Sequence, residues 1–199
     1  MSKRPLDDAP RITITSVHDL RDWLADNHDS GTGVWLVTWK KGDARHVPYA
    51  DVVDHLLCFG WVDSLPRGLS DRQSMLYISP RKPRSNWSRV NKDKIARLQG
   101  AGLMAAPGLA AVARAQADGS WSALDDVENL VIPPDLAAAF DASPGARTAW
   151  EGFPRSVKRG ALEQLLNAKT AATRDKRIAI IVGESAAGRR PFQWQKGAG

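Results

Sequence analysis

The sequence predicts an α+β protein in which a small N-terminal sheet with helices is followed by a mainly helical C-terminal half. Two observations support this class. Segments with the composition of strands become scarce from Ser88 onward, and the apolar residues beyond it recur mostly at helical spacing. With 199 residues, 43% of them hydrophobic and 25% charged, the chain is long enough to bury a substantial core.

The N-terminal half is predicted to mix helices with short strands. After a loose leader over residues 1–11, SVHDLRDWLADNHDSG begins with the capping pair Ser16 and Asp19 and predicts a helix. GVWLVTWKKGD is apolar on both faces, which is typical of a buried strand. VPYADVVDHLLCFG predicts a second helix. WVDS and SMLYIS, separated by a turn at Pro66 and Gly68, predict two short strands that pair with the first.

The rest of the chain is predicted to be helical. SRVNKDKIARLQGAG, with Ser88 as its N-cap, and APGLAAVARAQADG complete a first domain over residues 1–118. A linker with acidic bias is expected over residues 119–133. Four further helical segments form a C-terminal module over residues 134–188, either packed on the first domain or joined flexibly to it; the last helix runs from about Thr170 to Ala187. The tail GRRPFQWQKGAG shows little pattern.

Positive charge is concentrated in one segment of the chain. Between Arg81 and Arg97 there are seven cations and one anion, a net charge of +6 that equals the net charge of the whole chain. The cations are Arg81, Lys82, Arg84, Arg89, Lys92, Lys94 and Arg97. Such a balance favours an anionic partner, which we expect to be a nucleic acid, a phosphorylated or carboxylated metabolite, or an acidic protein surface.

Residues 79–91 combine these cations with short hydrogen-bonding side chains and therefore predict an anion-binding site. Pro80 and Pro83 stiffen the segment, and Ser88 places the N-terminus of a helix beside it. The expected ligand-binding residues are Trp61, Asp63, Ser79, Arg81, Lys82, Arg84, Ser85, Trp87, Ser88 and Asn91. The alternative is a solvated surface loop in which Ser88 is an ordinary N-cap.

Three of these residues have two interpretations each. Asp63 is expected either to orient Arg81 or Arg84 by accepting hydrogen bonds, or to be a buried structural partner of an arginine. Trp61 and Trp87 either stack on a ligand or an arginine, or lie in the core, since a chain with eight Trp residues buries most of them.

Patterns for catalysis and metal binding are weak. His55 and Cys58 share a helix face, but the apolar neighbours of Cys58 are typical of a buried cysteine. The four His residues lack metal-ligand spacing, and neither a glycine-rich phosphate loop nor a dinucleotide fingerprint is present. We therefore predict no catalytic residue, metal or cofactor. The alternative is a small enzyme for a carboxylated or phosphorylated substrate held by Arg81 and Arg84, with Asp63 as its acid or base.

A cytoplasmic location is expected. The single cysteine rules out an intramolecular disulfide framework. The N-terminal cations are not followed by the apolar run of a secretory signal, and no stretch approaches the roughly 18 apolar residues of a membrane span.

A resemblance to a known family is carried by LLCFGWVDS, YISPRKPRSNWSRVNKDKIARLQGAGLMAAPGLAAV and ARTAWEGFPRSVKRGALEQLLNAKTAATRDKRIAIIV. These segments, within residues 35–182, resemble the YdeI/OmpD-associated family of bacteria, also described as bacteriocin-protection proteins. The resemblance implies tolerance of bacteriocins or cationic antimicrobial peptides, a form of stress tolerance, without an established catalytic residue or cofactor. Because a basic protein repels cationic peptides, we expect protection through envelope regulation or an intermediary rather than by sequestering the peptide.

Overall fold

The computed structural model describes residues 6–192, which divide into two units, the first ending at Trp121 and the second beginning directly after it. The division falls within the segment 119–133 that the sequence predicts as a linker. Residues 1–5 and 193–199, which include parts of the predicted leader and tail, lie outside the described residues.

A four-stranded sheet forms the centre of the first unit. Its strands are β1 (Arg11–Thr13), β2 (Val34–Trp39), β3 (Trp61–Gly68) and β4 (Gln73–Pro80), in the order β1-β2-β4-β3. β1 runs parallel to β2, and the other two pairings are antiparallel. The predicted pairing with β2 is confirmed for β4 and wrong for β3, because β4 lies between them. The turn predicted at Pro66 and Gly68 is also wrong, since both residues belong to β3.

Four helices accompany the sheet in the described part of the first unit: α1 (Val17–Asn27), α2 (Tyr49–Cys58), α3 (Arg89–Gly100) and α4 (Ala106–Ala117). α1 begins with the predicted capping box of Ser16 and Asp19. α3 begins after Ser88, whose hydroxyl accepts a hydrogen bond from the backbone of Asn91. The helices and one sheet face bury a common core that includes Leu20, Leu36, Leu56, Trp61, Ile78, Trp87, Ile95 and Leu98.

The opposite sheet face carries a smaller apolar cluster. Trp35, Val37 and Met75 are buried there, and the Trp35 indole N–H donates to the Leu6 carbonyl at 2.7 Å. A short 3-10 turn at Leu6–Asp8 thus packs beside β2. Burial on both faces explains why β2 is apolar throughout.

The second unit is helical over its described residues. Its helices are α5 (Asp125–Glu128), α6 (Pro134–Asp141), α7 (Pro144–Glu151), α8 (Arg155–Leu166) and α9 (Ala171–Ala186). Leu136, Phe140 and Trp150 are fully buried or nearly so, and Leu124 and Val127 from the predicted linker join the same core. The predicted α+β class, with a small N-terminal sheet and a helical C-terminal half, is confirmed. No helix within residues 6–192 has the length and apolar composition needed to cross a bilayer.

Candidate functional site

A pocket in the first unit, here called the basic pocket, brings together cations from two segments. It is lined by Arg81, Lys82, Pro83, Arg84, Trp87, Ala111, Arg114, Ala115, Asp118 and Ser120. The first five belong to the loop between β4 and α3, and the others belong to α4 and the turn after it. Four cations and one carboxylate therefore surround a small cavity of about 10 Å³ that opens to solvent.

Backbone hydrogen bonds fix the loop that carries the first three cations. The Arg81 amide donates to the Gly60 carbonyl at 2.9 Å, which continues the pairing of β3 with β4. The Arg84 amide donates to the Asp118 carboxylate at 3.2 Å and so ties the loop to the end of α4. Arg84 has a φ of +59°, a left-handed conformation that is uncommon for residues other than glycine and is frequent at binding sites.

Two glycines allow α4 to approach the loop. A Cβ atom at Gly108 would lie 2.1 Å from the Cys58 carbonyl oxygen, so only glycine fits at this crossing of α2 and α4. Gly60 has a φ of +72°, and a Cβ there would lie 2.9 Å from the Ala111 side chain. The close packing places Arg114, one turn beyond Ala111, at the basic pocket.

Arg81 is the most buried cation of the pocket. Its Cζ lies 4.0 Å from the centroid of the Trp87 ring, and its Nη1 donates to the Asn86 carbonyl at 3.1 Å. Burial lowers the pKa of Arg81 to about 10, although the charge of Asp63 acts in the opposite direction, so the side chain remains protonated at neutral pH. Its Nε is buried without a hydrogen-bond partner among the described residues. Such an N–H gains most from an anionic acceptor.

The single carboxylate of the pocket is held by its own neighbours. The Ser120 hydroxyl and amide, together with the Arg84 amide, lower the pKa of Asp118. The Ser120 amide donates to this carboxylate at 2.9 Å. Asp118 therefore anchors the two walls of the pocket to each other.

Four of the ten predicted ligand-binding residues, Arg81, Lys82, Arg84 and Trp87, line the basic pocket. Three others lie in the same part of the chain but have structural partners. The Ser85 hydroxyl donates to the Lys82 carbonyl at 2.7 Å and closes the loop. Ser88 is the N-cap of α3, bonded to Asn91. The N-terminus of α3 is therefore not part of the pocket wall.

The two tryptophans and Ser79 are placed by the sheet and the core. Trp61 is 0% exposed, donates its indole N–H to the His28 carbonyl at 3.2 Å, and packs edge-on against Trp23. Trp87 is 1% exposed, so it borders the pocket as a core residue rather than as an open stacking surface. Ser79 lies on β4 and does not line the pocket.

The remaining cations of the segment from Arg81 to Arg97 have other environments. Lys94 and Arg97 both form ion pairs with Asp54 of α2. The Lys92 ammonium lies 5.9 Å from the centroid of the Trp121 ring. The charge that is continuous in sequence is therefore divided between the basic pocket and contacts within the protein.

Asp63 lines a second and larger cavity, here called the sheet cleft, with a volume of about 600 Å³. The cleft is lined by Leu36, Thr38, Trp39, Lys40, Lys41, His46, Val47, Tyr49, Val52, Asp63, Ser64, Pro66, Ser74, Met75 and Leu76. The Tyr49 hydroxyl donates to Asp63 at 2.8 Å. Asp63 and Arg84 thus line different cavities, whereas an enzyme with Asp63 acting on a substrate held by Arg84 requires them in one.

The helix face with His55 and Cys58 is withdrawn from solvent. Cys58 is fully buried, and burial raises the pKa of its thiol, which disfavours the nucleophilic thiolate. Burial also lowers the pKa of His55. Within residues 6–192, no three His, Cys, Asp or Glu side chains are grouped so as to hold a metal ion.

Sequence reasoning missed Arg114, Asp118 and Ser120 in the basic pocket and Tyr49 beside Asp63. Asp118 lies 34 residues from Arg84 along the chain, and no local pattern links the two. The one available signal is the turn glycine Gly119, which ends α4 with a φ of +78° and indicates where the chain changes direction.

The fold and the pocket define a class: an α+β protein with a basic pocket in its N-terminal unit and a helical C-terminal unit. The chain belongs to the family described as Domain of unknown function (DUF8412), whose model matches residues 12–111, half of its length. Residues 129–188 match the family described as Bacteriocin-protection, YdeI or OmpD-Associated, which confirms the family expected from the sequence. The segments FGWVDS and SPRKPRSNWS lie within the first match. Searches of curated proteins and of solved structures gave no match.

Proposed function

We propose that this protein is a non-catalytic binding protein whose basic pocket holds one phosphate or carboxylate group of an anionic partner. The main support for the proposal is the environment of the Arg81 side chain. This side chain is partly buried and forms no ion pair with a described residue, although the charge of Asp63 acts on it, and its buried Nε has no acceptor. A buried cation that is only partly hydrogen-bonded costs stability, and an incoming anion would offset that cost.

The other cations of the pocket are available to the same ligand. The side chains of Lys82, Arg84 and Arg114 form no ion pair with any residue in the described part of the chain. Asp118 is already engaged by backbone amides of Ser120 and Arg84. Charge-assisted hydrogen bonds from guanidinium groups to phosphate or carboxylate oxygens are stronger than hydrogen bonds between neutral groups.

The pocket is ordered before any ligand arrives. Pro80 and Pro83 restrict the loop, and Arg84 is held in its left-handed conformation by the bond to Asp118. Side chains that are already fixed lose less entropy on binding. The cavity itself has room for little more than a water molecule, so the anionic group would bind at its mouth, with the remainder of the partner outside the pocket.

The family match associates the chain with bacteriocin protection. We infer that protection acts through the anionic partner of the pocket and not through capture of the peptide. The chain has a net charge of +6, and the pocket adds a local excess of cations, so both repel a cationic peptide. The cytoplasmic location expected from the sequence is part of this proposal and is supported by the single cysteine.

Calorimetric titration of the full chain tests the proposal. The probes are inorganic phosphate, citrate, a single-stranded oligonucleotide and a glutamate-rich peptide, each with wild type, Arg84→Ala, Arg114→Ala and Arg11→Ala. Arg11 is an exposed cation of β1 outside the pocket and is the matched control for charge. We expect saturable binding of at least one probe, weakened about tenfold or more by either pocket variant and little by Arg11→Ala.

Two results would reject the proposal. One is the absence of saturable binding for all four probes. The other is an equal loss in all three variants, which would mean that the net charge and not the pocket attracts the anion. For the oligonucleotide, the logarithm of the affinity should fall linearly with the logarithm of the salt concentration. The slope is close to one for each phosphate that the protein neutralises, so it gives the number of phosphates contacted.

A further inference from the structure

The sheet cleft is separate from the basic pocket and has a different chemical character. Its floor is apolar: Leu36 and Leu76 line it from paired positions of β2 and β4, together with Val47 and Val52. Leu76 is partly exposed, whereas the other three are almost fully buried. Its size is that of cavities that hold small organic molecules. The polar groups are not mixed through this floor but lie toward the two ends.

One end of the cleft is cationic. Lys40 and Lys41 follow β2 directly, and their ammonium groups form no ion pair with a described residue. Beside them, the hydroxyl groups of Thr38 and Ser74 lie 3.3 Å apart on paired strands. Two ammonium groups and two hydroxyl groups form a suitable environment for a carboxylate or another small anionic group.

The other end carries the carboxylate of Asp63. One of its oxygens accepts the Tyr49 hydroxyl at 2.8 Å, and the other accepts no hydrogen bond from a described residue. Burial and the Asp63 carboxylate raise the pKa of Tyr49 to about 12, so the phenol stays protonated and keeps donating at neutral pH. The free oxygen can accept a further hydrogen bond, from a ligand ammonium or hydroxyl group.

A β-bulge shapes this end of the cleft. Asp63 pairs with Ile78 and Pro66 pairs with Leu76, so β3 contains one extra residue between the two pairs. In a regular strand, residues three apart point to opposite faces of the sheet. The extra residue returns Pro66 to the sheet face that carries Asp63, and Asp63, Ser64 and Pro66 all line the cleft. Bulges are common beside binding sites.

The strand register gives the distance between the two ends. Asp63 is paired with Ile78, while Trp39, which precedes Lys40, is paired with Gln73. Five steps along β4 correspond to roughly 17 Å. We propose that the sheet cleft binds an elongated amphiphile with an anionic group at the lysine end, an apolar chain along the floor, and an ammonium or hydroxyl group at Asp63.

Calorimetry with four related probes tests this arrangement in the full chain. The probes are ω-aminododecanoate, ω-hydroxydodecanoate, dodecanoate and dodecylamine, all below their critical micelle concentrations. We expect at least one of the two bifunctional probes to bind about tenfold tighter than both dodecanoate and dodecylamine, because only a bifunctional probe satisfies both ends.

Variants assign each preference to its residues. Asp63→Ala, which removes the acceptor, removes the preference over dodecanoate, and the double variant Lys40→Ala and Lys41→Ala removes the preference over dodecylamine. The same comparisons are repeated in an Arg84→Ala background, where carboxylate binding at the basic pocket is weakened, and the preferences for the bifunctional probes should persist there. Arg11→Ala lies outside both cavities and is the charge control. Equal affinities for all probes, absence of binding, or full retention of the preference in Asp63→Ala would overturn the inference. Thermal melts show whether each variant is folded.

Discussion

The Cζ atom of Arg81 lies 4.0 Å from the centroid of the Trp87 ring, and the ring beneath it is 1% exposed. A cation is thus held at the edge of the apolar core by an aromatic face and one hydrogen bond to the Asn86 carbonyl. This contact joins the core of the first unit to the basic pocket. A substitution of Arg81 can therefore show whether the residue stabilises the fold, binds the anion, or does both.

Arg81→Met is expected to abolish binding of the anionic probe at the basic pocket while changing the free energy of unfolding by no more than about 1 kcal/mol. Met retains an apolar contact with Trp87, and loss of one hydrogen bond is offset by removing the cost of burying a charge. Chemical denaturation and calorimetry measure the two effects. A loss of more than about 3 kcal/mol would show instead that Arg81 stabilises the fold.

Gly108→Ala is expected to destabilise the first unit by about 2–3 kcal/mol, since the added methyl group would meet the Cys58 carbonyl at 2.1 Å. The matched control is Gly160→Ala in α8, where nothing lies within 4 Å of the added atom. That change should raise stability by about 1 kcal/mol. If Gly108→Ala unfolds at the same denaturant concentration as wild type, the crossing of α2 and α4 is not the close contact described above.

Two serine-to-alanine changes are expected to have opposite signs. Ser185 is 0% exposed and its hydroxyl has no partner among the described residues, so Ser185→Ala should stabilise the protein by about 1 kcal/mol. Ser16 caps α1 through Asp19, so Ser16→Ala should cost about 1 kcal/mol. Thermal unfolding distinguishes the two. A destabilising Ser185→Ala would mean that this hydroxyl has an acceptor, such as a bound water.

The capping box of α1 should make stability depend on acid pH. Hydrogen bonds from Thr15 and Ser16 lower the pKa of Asp19 from 3.8 to about 2. Because the folded value lies below the unfolded one, the stabilisation is complete above pH 3.8 and is lost as the pH falls toward 2. Wild type should therefore melt at a higher temperature than Asp19→Asn at neutral pH, and the difference should vanish near pH 2. A difference that stays constant with pH would contradict this account.

A cationic peptide such as polymyxin B is expected not to bind the protein directly, because the net charge of +6 and the basic pocket both repel it. Calorimetry at low and moderate salt gives the measurement. Saturable, tight binding of the peptide would show that protection acts by sequestration, contrary to the proposal.

Local chemistry was sufficient to predict many of the elements. The Ser16 and Asp19 pair locates the start of α1, and Thr170 caps α9 where the sequence indicates the last helix. The double-sided apolar pattern of β2 correctly implies burial on both faces. These signals arise from residues within a few positions of each other, so they can be read without knowing the rest of the fold.

The composition of the basic pocket could be predicted only in part. Arg81, Lys82 and Arg84 are neighbours in sequence, and their charge stands out against the neutral remainder of the chain. Arg114 and Asp118 reach them because α4 packs closely at Gly108, a contact between distant segments. Proximity of that kind depends on how helices pack and leaves no periodic trace in the sequence.

For Asp63, too, the sequence predicted only part of the environment that the folded protein provides. It was expected to orient Arg81 or Arg84, and its charge does act on Arg81. The bulge between Asp63 and Pro66 and the bond from Tyr49, however, place its carboxylate in the sheet cleft and not in the basic pocket. Helix caps and apolar periodicity are properties of short segments, whereas strand order, bulges and helix crossings arise only when distant segments pack, and these set the neighbours of each side chain.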